Sequence, residues 1–188
     1  MINKYLKNSL LTLIIICWII IILVLPLRFY IYNEQFYYDQ FEKNDVYSKI
    51  DVEAYDVLNN LFSFFKEEEK LEYFTPNEQS HLEDVRVLLN KFFITFFVTI
   101  YVLIISYLIL YFIDKKTLLE QTFKTMFLGG LISFVIIALF TFAALNFSVM
   151  FSGFHEIFFT QVNYTFPMDS LLIKLFTEKF FKTFFIKI

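Results

Sequence analysis

The chain has 188 residues, of which 58% are hydrophobic and 22% aromatic, with only 3 Gly and 3 Pro. Apolar content this high, in runs long enough to cross a bilayer, excludes a soluble globular domain and predicts an integral membrane protein. The net charge of −3 shows no nucleic-acid signature, and the single cysteine excludes a disulfide framework and a cysteine metal site.

The first predicted element is a transmembrane helix in residues 1–28, built on an apolar run at 10–27 that follows Lys4 and Lys7. A signal peptide begins in the same way, but no small-x-small cleavage site follows this run. Nor is Cys17 a lipidation site, because large Ile residues precede it where a lipobox has small ones. We therefore expect a retained membrane anchor.

Residues 29–91 form a predicted extracellular cap. From Arg28 to Lys91, both included, the chain carries 14 acidic and 7 basic residues, which is typical of a solvated segment. Apolar residues recur with helical spacing between Asp51 and Phe65, so that stretch is predicted to be an amphipathic helix.

A second helix of the cap is predicted to start at Thr75-Pro76-Asn77-Glu78. Thr is a good N-cap, Pro suits the first helical position, and Glu completes a capping box. The helix then runs through His81 towards the second span. Asp84 shares a face with His81 and can orient its imidazole, or it is an ordinary first-turn acid favoured by the helix dipole.

The second and third transmembrane helices are predicted at 92–113 and 126–148, separated by a cytoplasmic loop at 114–125. Basic residues in short loops favour the cytoplasmic side of a membrane, and Lys115, Lys116 and Lys124 lie in this loop. The N-terminus then also lies inside, while the cap and residues 149–170 lie on the extracellular face.

The two histidines of the chain, His81 and His155, both fall on that extracellular face, just outside the apolar runs. Histidine titrates near neutral pH, so this pair is the best candidate for acid–base chemistry. The alternative is that each histidine only hydrogen-bonds at an interface. Zinc bound by the histidines with Asp84 and Glu156 lacks any recognised ligand spacing, so neither a metal nor a cofactor is predicted.

Residues 171–188 are amphipathic. Leu172, Phe176, Phe180 and Phe184 share one side, and the lysines lie elsewhere. The pattern favours a helix lying in the membrane interface, or else part of a fourth transmembrane helix. The predicted fold class is thus an all-α membrane protein with three full transmembrane helices, a small extracellular cap and this C-terminal element.

Several segments, in order along nearly the whole chain, resemble the bacterial lipoprotein intramolecular transacylase (Lit) family. The most specific is Phe154-His155-Glu156-Ile157-Phe158-Phe159. The others are Tyr55-Asp56-Val57-Leu58-Asn59, His81-Leu82-Glu83-Asp84-Val85-Arg86, Phe166-Pro167-Met168-Asp169-Ser170-Leu171 and Leu175-Phe176-Thr177-Glu178-Lys179-Phe180-Phe181.

The resemblance implies an enzyme, namely an acyltransferase of the bacterial cell membrane. Its expected partners are a diacylated lipoprotein substrate and membrane lipid, and no oligomeric state is predicted. The sn-2 acyl chain of the lipoprotein's diacylglyceryl group moves to the α-amino group of the N-terminal cysteine, giving a lyso-form lipoprotein. His155 is the expected base and His81 the expected donor or oxyanion stabiliser. The expected supporting residues are Asp84, Arg86, Glu156 and Asp169, and the expected pocket residues are Phe154, Phe158, Phe159, Tyr164 and Phe166.

The chain departs from the family pattern in three places. Tyr164 stands where family members usually have Trp, Phe176-Thr177-Glu178 lacks a usual Pro, and a complete fourth transmembrane helix is expected where this chain stops at Ile188. Two alternatives stay open from the residues alone. One is a non-enzymatic membrane protein that binds lipid or a partner through its aromatic cap, and the other is a membrane acyl hydrolase.

Overall fold

The computed structural model describes residues 4–143, 146–159 and 165–187. Its helices are α1 (Lys4–Tyr30), α2 (Glu34–Lys43), α3 (Ala54–Phe65), α4 (Pro76–Asp114), α5 (Leu118–Ala143), α6 (Phe147–Phe158), α7 (Leu171–Leu175) and α8 (Glu178–Lys187), with a 3-10 turn at Val46–Ser48. The chain divides into two compact units, a first unit of residues 1–28 and 91–142 and a second unit of residues 29–90 and 143–188.

The first unit contains the predicted spans. Helices α1, α4 and α5 are each long and apolar enough to cross a membrane, so the prediction of three transmembrane helices is confirmed. Many large apolar side chains on these helices are exposed, for example Phe112 with 83% of its surface. Such exposure suits side chains that face lipid rather than water.

The core of the first unit joins α1 to the apolar part of α4. Leu10, Ile14 and Cys17 of α1 pack with Leu103 and Leu110 of α4. Leu10, Ile14 and Cys17 follow one another at spacings of four and three, so all of them lie on one face of the helix. This face is therefore the side of α1 that packs against protein.

Hydrogen bonds link the same helices. The Trp18 Nε1–H group of α1 donates to the Tyr107 hydroxyl of α4 over 3.0 Å, and that hydroxyl lies 3.1 Å from the Thr125 hydroxyl of α5. Because hydrocarbon supplies no partners, polar groups within a span must be satisfied by one another. The three side chains thus satisfy each other across three helices.

Gly129 permits the close contact between α5 and α1. A Cβ atom placed on Gly129 would lie 2.6 Å from the Cβ atom of Trp18, closer than two carbon atoms approach, whereas one on Gly130 meets nothing within 4 Å. Small residues allow helix backbones to approach closely in membranes. Only the first of the two adjacent glycines serves this packing.

In the second unit, aromatic residues of α2 form the centre of the core. The Tyr37 ring lies 5.1 Å from the ring of Phe62 on α3 and 5.4 Å from that of Phe180 on α8. The predicted apolar face of α3 is confirmed, since all of its members are buried: Ala54, Val57, Leu58, Leu61, Phe62 and Phe65.

The predicted helix start at Thr75 is also confirmed. The Glu78 carboxylate accepts hydrogen bonds from both the backbone N–H and the hydroxyl of Thr75, each over 2.8 Å, and the Glu78 N–H donates to the Thr75 hydroxyl. Helix α4 then continues without a break to Asp114. His81 and the second span therefore lie on one continuous helix, as expected.

The helix boundaries around the third span differ from the predicted bounds of the span. Most of the predicted loop at 114–125 is helical, since α5 begins at Leu118. Glu120 and Lys124 form an ion pair one turn apart in this first part of α5, and such a pair stabilises a helix. At the other end α5 finishes at Ala143, and Phe147 already belongs to α6. Hydropathy marks the apolar part of a helix, not its polar extension or the start of the next helix.

The C-terminal stretch is two short helices rather than one. The Phe176 N–H donates to the Leu172 carbonyl at the end of α7, and the Thr177 hydroxyl accepts from the Phe180 N–H at the start of α8. Of the predicted apolar side, Leu172, Phe180 and Phe184 are buried, and Phe180 lies 5.6 Å from Phe36 of α2. The chain therefore breaks at Phe176-Thr177, between α7 and α8.

Candidate active site

The second unit brings the two histidines together. His81 lies near the start of α4 and His155 in the last turn of α6, and their rings are stacked with centroids 5.8 Å apart and an interplanar angle of 20°. Seventy-four positions separate them in the sequence, so only the folding of the unit places them side by side.

His155 has a defined hydrogen bond. Its ring is buried, with 6% of the residue exposed, and Nδ1 lies 2.8 Å from the backbone carbonyl oxygen of Phe151. A carbonyl oxygen only accepts hydrogen bonds, so the neutral ring that makes this contact carries its hydrogen on Nδ1. The lone pair of the ring is then on Nε2, the nitrogen that can accept a proton.

Aromatic rings enclose both histidines. The His155 ring lies 4.0 Å from that of Phe151, 5.2 Å from that of Phe159 and 5.6 Å from that of Phe154. The His81 ring lies 5.1 Å from Phe159 and 5.5 Å from Phe166. Phe159 contacts both histidines, so it belongs to the centre of the site.

This environment disfavours the charged form of both rings. Burial, together with the nearby His155, lowers the pKa of His81 to about 4. Burial also lowers the pKa of His155, although its bond to the Phe151 carbonyl acts in the opposite direction. At neutral pH both rings are therefore neutral, and each has one nitrogen that donates and one that accepts.

The predicted pocket residues fall into three groups. Phe154, Phe159 and Phe166 contact the histidines, as described above. Phe158 is exposed and packs on Phe154 with centroids 4.8 Å apart. Tyr164 lies outside the described residues.

Three of the predicted supporting residues lie on the same helices as the histidines, Asp84 and Arg86 on α4 and Glu156 on α6. Arg86 donates to Glu83 and its guanidinium lies 4.4 Å from the centre of the Phe64 ring. Glu156 is exposed. Within the described residues no hydrogen bond joins Asp84 to His81, so the orienting role of Asp84 stays a prediction.

Asp169 does not cap the following helix. The N-cap of α7 is Ser170, whose hydroxyl accepts from the Ile173 N–H, and Asp169 is exposed. Ser170 immediately precedes the helix, and its hydroxyl accepts from the N–H group three residues later, which is the usual N-cap geometry. Asp169 therefore lies one residue before the N-cap, and its supporting role stays a prediction.

The sequence did not single out Phe151, and it assigned Glu78 only a capping role. Phe151 has a signal that could have identified it, since it precedes His155 by one helical turn. Glu78 was expected only to close a capping box, but its second carboxylate oxygen accepts from the Leu172 N–H over 2.9 Å, and the side chain is 1% exposed. This contact ties the start of α4 to the start of α7 and has no sequence signature.

The arrangement is suited to proton transfer by the two imidazoles. Among the described residues there is no group of three or more His, Cys, Asp or Glu side chains that could hold a metal. Two neutral imidazoles in a dry aromatic surrounding can remove a proton from one group and supply a proton or hydrogen bond to another.

Comparison with known proteins gives one family. A family model described as lipoprotein intramolecular transacylase Lit matches residues 12–181. No curated protein sequence matches the chain.

Solved structures of the membrane-integral lipoprotein intramolecular transacylase Lit from Bacillus cereus share the fold. One is 16% identical with a TM-score of 0.75, covering 97% of this chain and 86% of that chain. A histidine-to-alanine variant of that protein is 18% identical with a TM-score of 0.74, covering 96% and 84% of the two chains.

Proposed function

Because the chain belongs to the lipoprotein intramolecular transacylase (Lit) family of acyltransferases, we propose that it moves the sn-2 acyl chain of a diacylated bacterial lipoprotein to the α-amino group of the N-terminal cysteine. The product is an N-acyl lyso-lipoprotein. The observation that supports this assignment best is the stacked pair of neutral histidines, 5.8 Å apart, in an aromatic surrounding.

The reaction exchanges one bond to the acyl carbon for another. The amine nitrogen forms a bond to the acyl carbon, the bond between that carbon and the glyceryl oxygen breaks, and the amine loses a proton while the leaving oxygen gains one. Nitrogen, Cα, Cβ, sulfur, two glyceryl carbons, oxygen and acyl carbon close a ring of medium size. Closure of such a ring has a high entropic cost, so confinement of the substrate contributes strongly to catalysis.

In the proposed mechanism His155 is the base. Its Nδ1–H group is committed to the Phe151 carbonyl, so Nε2 takes the proton from the attacking amine. Because burial lowers the pKa of His155, the ring stays neutral and able to accept that proton at neutral pH. The same nitrogen then returns the proton to the leaving glyceryl oxygen.

His81 has the complementary role in this proposal. Its neutral ring donates an N–H hydrogen bond to the acyl oxygen as negative charge develops there. The pKa of about 4 means that it donates as a neutral group and does not protonate the amine nucleophile. Of the predicted supporting residues, we propose that Asp84, three positions further along α4, orients the ring.

The aromatic walls fit an acyl transfer that avoids water. Phe154, Phe159 and Phe166 are large and rigid, so they can hold the glyceryl and acyl groups while excluding water from the acyl carbon. Water in the site would release a free fatty acid and leave the cysteine amine unmodified. Exclusion of water thus separates the proposed transfer from hydrolysis.

We further propose that the second unit lies on the extracellular face of the membrane, where lipoproteins are displayed. The support is the distribution of charge. Lys4 and Lys7 lie at the start of α1, and Lys115 and Lys116 follow the end of α4, whereas the second unit continues from the other end of each of these helices. Lysines in short segments favour the cytoplasmic side.

The test compares lipoprotein N-termini by mass spectrometry in cells that express the wild type, His81→Ala or His155→Ala. Each variant should convert lipoprotein to the N-acyl lyso-form at least roughly a hundredfold more slowly, the usual effect of removing a general acid–base group. Ile157→Ala, an exposed position on the same helix as His155, and Ser80→Ala, beside His81, serve as controls and should keep activity.

Three outcomes contradict the proposal. Full activity in either histidine variant would leave that histidine with an interfacial role only. Release of free fatty acid with an unmodified cysteine amine would identify an acyl hydrolase. No change in lipoprotein when the wild type is expressed would favour a non-enzymatic binding protein.

A further inference from the structure

A cleft in the second unit is lined by a large share of the basic residues of that unit. It lies between the C-terminal end of α2 with the following turn and the N-terminal part of α8, and its lining includes four lysines: Lys43, Lys49, Lys179 and Lys182. Residues 29–90 and 143–188 contain 9 Lys and Arg residues against 17 Asp and Glu residues. Nearly half of the cations of this acidic unit thus line one cleft.

Ion pairs within the cleft do not neutralise its four lysines. Asp45 and Glu178 are the acidic residues of the lining, and Lys182 pairs with Glu178 over 2.6 Å. Lys49 donates to the backbone carbonyl of Asn44. The ammonium groups of Lys43 and Lys179 have neither a hydrogen bond nor an ion pair with another described residue, and both side chains are exposed. Four lysines against two carboxylates leave the cleft with net positive charge.

The surroundings of the cleft fit a membrane surface. Beyond its lysines, α8 exposes the large apolar residue Ile186, while Phe180 and Phe184 of the same helix are buried in the unit. A helix with lysines beside exposed apolar residues is typical of one that lies in the interface between headgroups and acyl chains. At that depth the abundant anionic groups are lipid phosphates, and lysine is an effective point-charge partner for phosphate.

We propose that this cleft binds a phosphate group, with the headgroup of an anionic phospholipid as the favoured source. Lys43 and Lys179 approach the phosphate from α2 and α8. The bound phosphate neutralises ammonium groups that otherwise repel each other, so it stabilises the packing of α8 on α2.

The site is also connected to the candidate active site. Phe181, beside Lys182 on α8, has its ring 5.8 Å from that of Phe151 on α6, the residue whose carbonyl accepts from His155. Lys182 itself lies 5.7 Å from the centre of the Phe147 ring at the start of α6. A headgroup in the cleft therefore supports the helix that positions His155.

The experiment uses the purified full chain in phosphatidylcholine nanodiscs and follows its unfolding temperature. In one arm phosphatidylglycerol is added to the disc, and in the other inorganic phosphate is added to the buffer at an ionic strength held constant with chloride. Each arm is repeated with Lys43→Gln/Lys179→Gln and with Lys66→Gln/Lys70→Gln. The second pair removes the same charge from exposed lysines that do not line the cleft.

The expected result is an unfolding temperature that rises with phosphatidylglycerol in the wild type and in Lys66→Gln/Lys70→Gln. In Lys43→Gln/Lys179→Gln, at least roughly tenfold more phosphatidylglycerol should be needed for the same rise, on the scale of two lysines near an anionic surface. An equal response to inorganic phosphate, lost in the same variant, supports a phosphate site whose source is soluble.

Two results overturn the proposal. The first is no response of the wild type to either additive. The second is an equal loss of response in both double variants, which would mean that the net charge of the unit, and not this cleft, attracts the anion. All readouts concern stability, so they do not depend on transacylase activity.

Discussion

At the scale of single residues, the two histidines show how a fold sets protonation. In water both rings would be partly charged just below neutral pH. The aromatic rings around them remove water, and that burial lowers both pKa values, that of His81 to about 4. The site thus keeps two neutral imidazoles where proton transfer needs one acceptor and one donor.

This lowered pKa predicts how stability depends on pH. As the pH falls below the ordinary value of 6.5, the unfolded chain binds a proton at His81, but the folded chain does not until about pH 4. The contribution of neutral His81 is therefore fully present above about pH 6.5 and is lost as the pH falls towards 4. Unfolding temperatures measured across this range should fall less steeply for His81→Phe than for the wild type. Identical slopes would contradict the burial of a neutral ring at this position.

Glu78 provides a second prediction at this scale. Its carboxylate accepts from Thr75 and from the Leu172 N–H while almost fully buried. Glu78→Ala leaves these donors unpaired and should destabilise the protein by roughly 2–3 kcal/mol, the usual cost of losing a buried charged partner. Unfolding by denaturant in detergent measures the loss. The exposed Glu69→Ala serves as the control, and equal stability of both variants would show that the contact with α7 is not needed.

At the scale of the helices, the adjacent glycines of α5 provide a matched pair. Gly129→Ala places a methyl group against Trp18, so it should force α1 and α5 apart and lower the unfolding temperature. Gly130→Ala meets open space and should be neutral or stabilising, by up to about 1 kcal/mol from its better helix propensity. If both substitutions lower the unfolding temperature equally, close packing at Gly129 is not the cause.

Local signals in the sequence predicted the helices well. The spacing of apolar residues identified the buried face of α3, and Thr75 to Glu78 identified the start of α4, because both patterns depend on residues within one or two helical turns. The break at Phe176-Thr177 was missed, since a run of apolar residues at helical spacing continues across it. There the hydroxyl of Thr177 caps α8, a local signal that the apolar spacing obscures, and Phe176 packs on α2, which no local pattern encodes.

At the scale of the whole molecule, the sequence indicated the pairing of the histidines only through topology and family resemblance. Residue spacing cannot predict that Phe159, four positions after His155, also contacts the His81 ring, or that Glu78 reaches Leu172. These contacts join residues from distant parts of the chain, and they depend on how the helices of the second unit pack. The candidate bases were therefore predictable, while their hydrogen bonds and lowered pKa values were not.

Membrane orientation provides the last prediction, because the proposed function requires the histidines to face the side where lipoproteins are displayed. Lys66 belongs to the second unit, and Lys116 lies in the turn between α4 and α5. In a Cys17→Ser background, Lys66→Cys should react with a membrane-impermeant maleimide on intact cells, because the acidic segment is expected outside. Lys116→Cys should react only after the membrane is permeabilised, and that treatment also shows that its thiol is accessible. Reaction of Lys116→Cys alone on intact cells would place His81 and His155 on the cytoplasmic face, away from mature lipoproteins, and would contradict both the orientation and the proposed substrate.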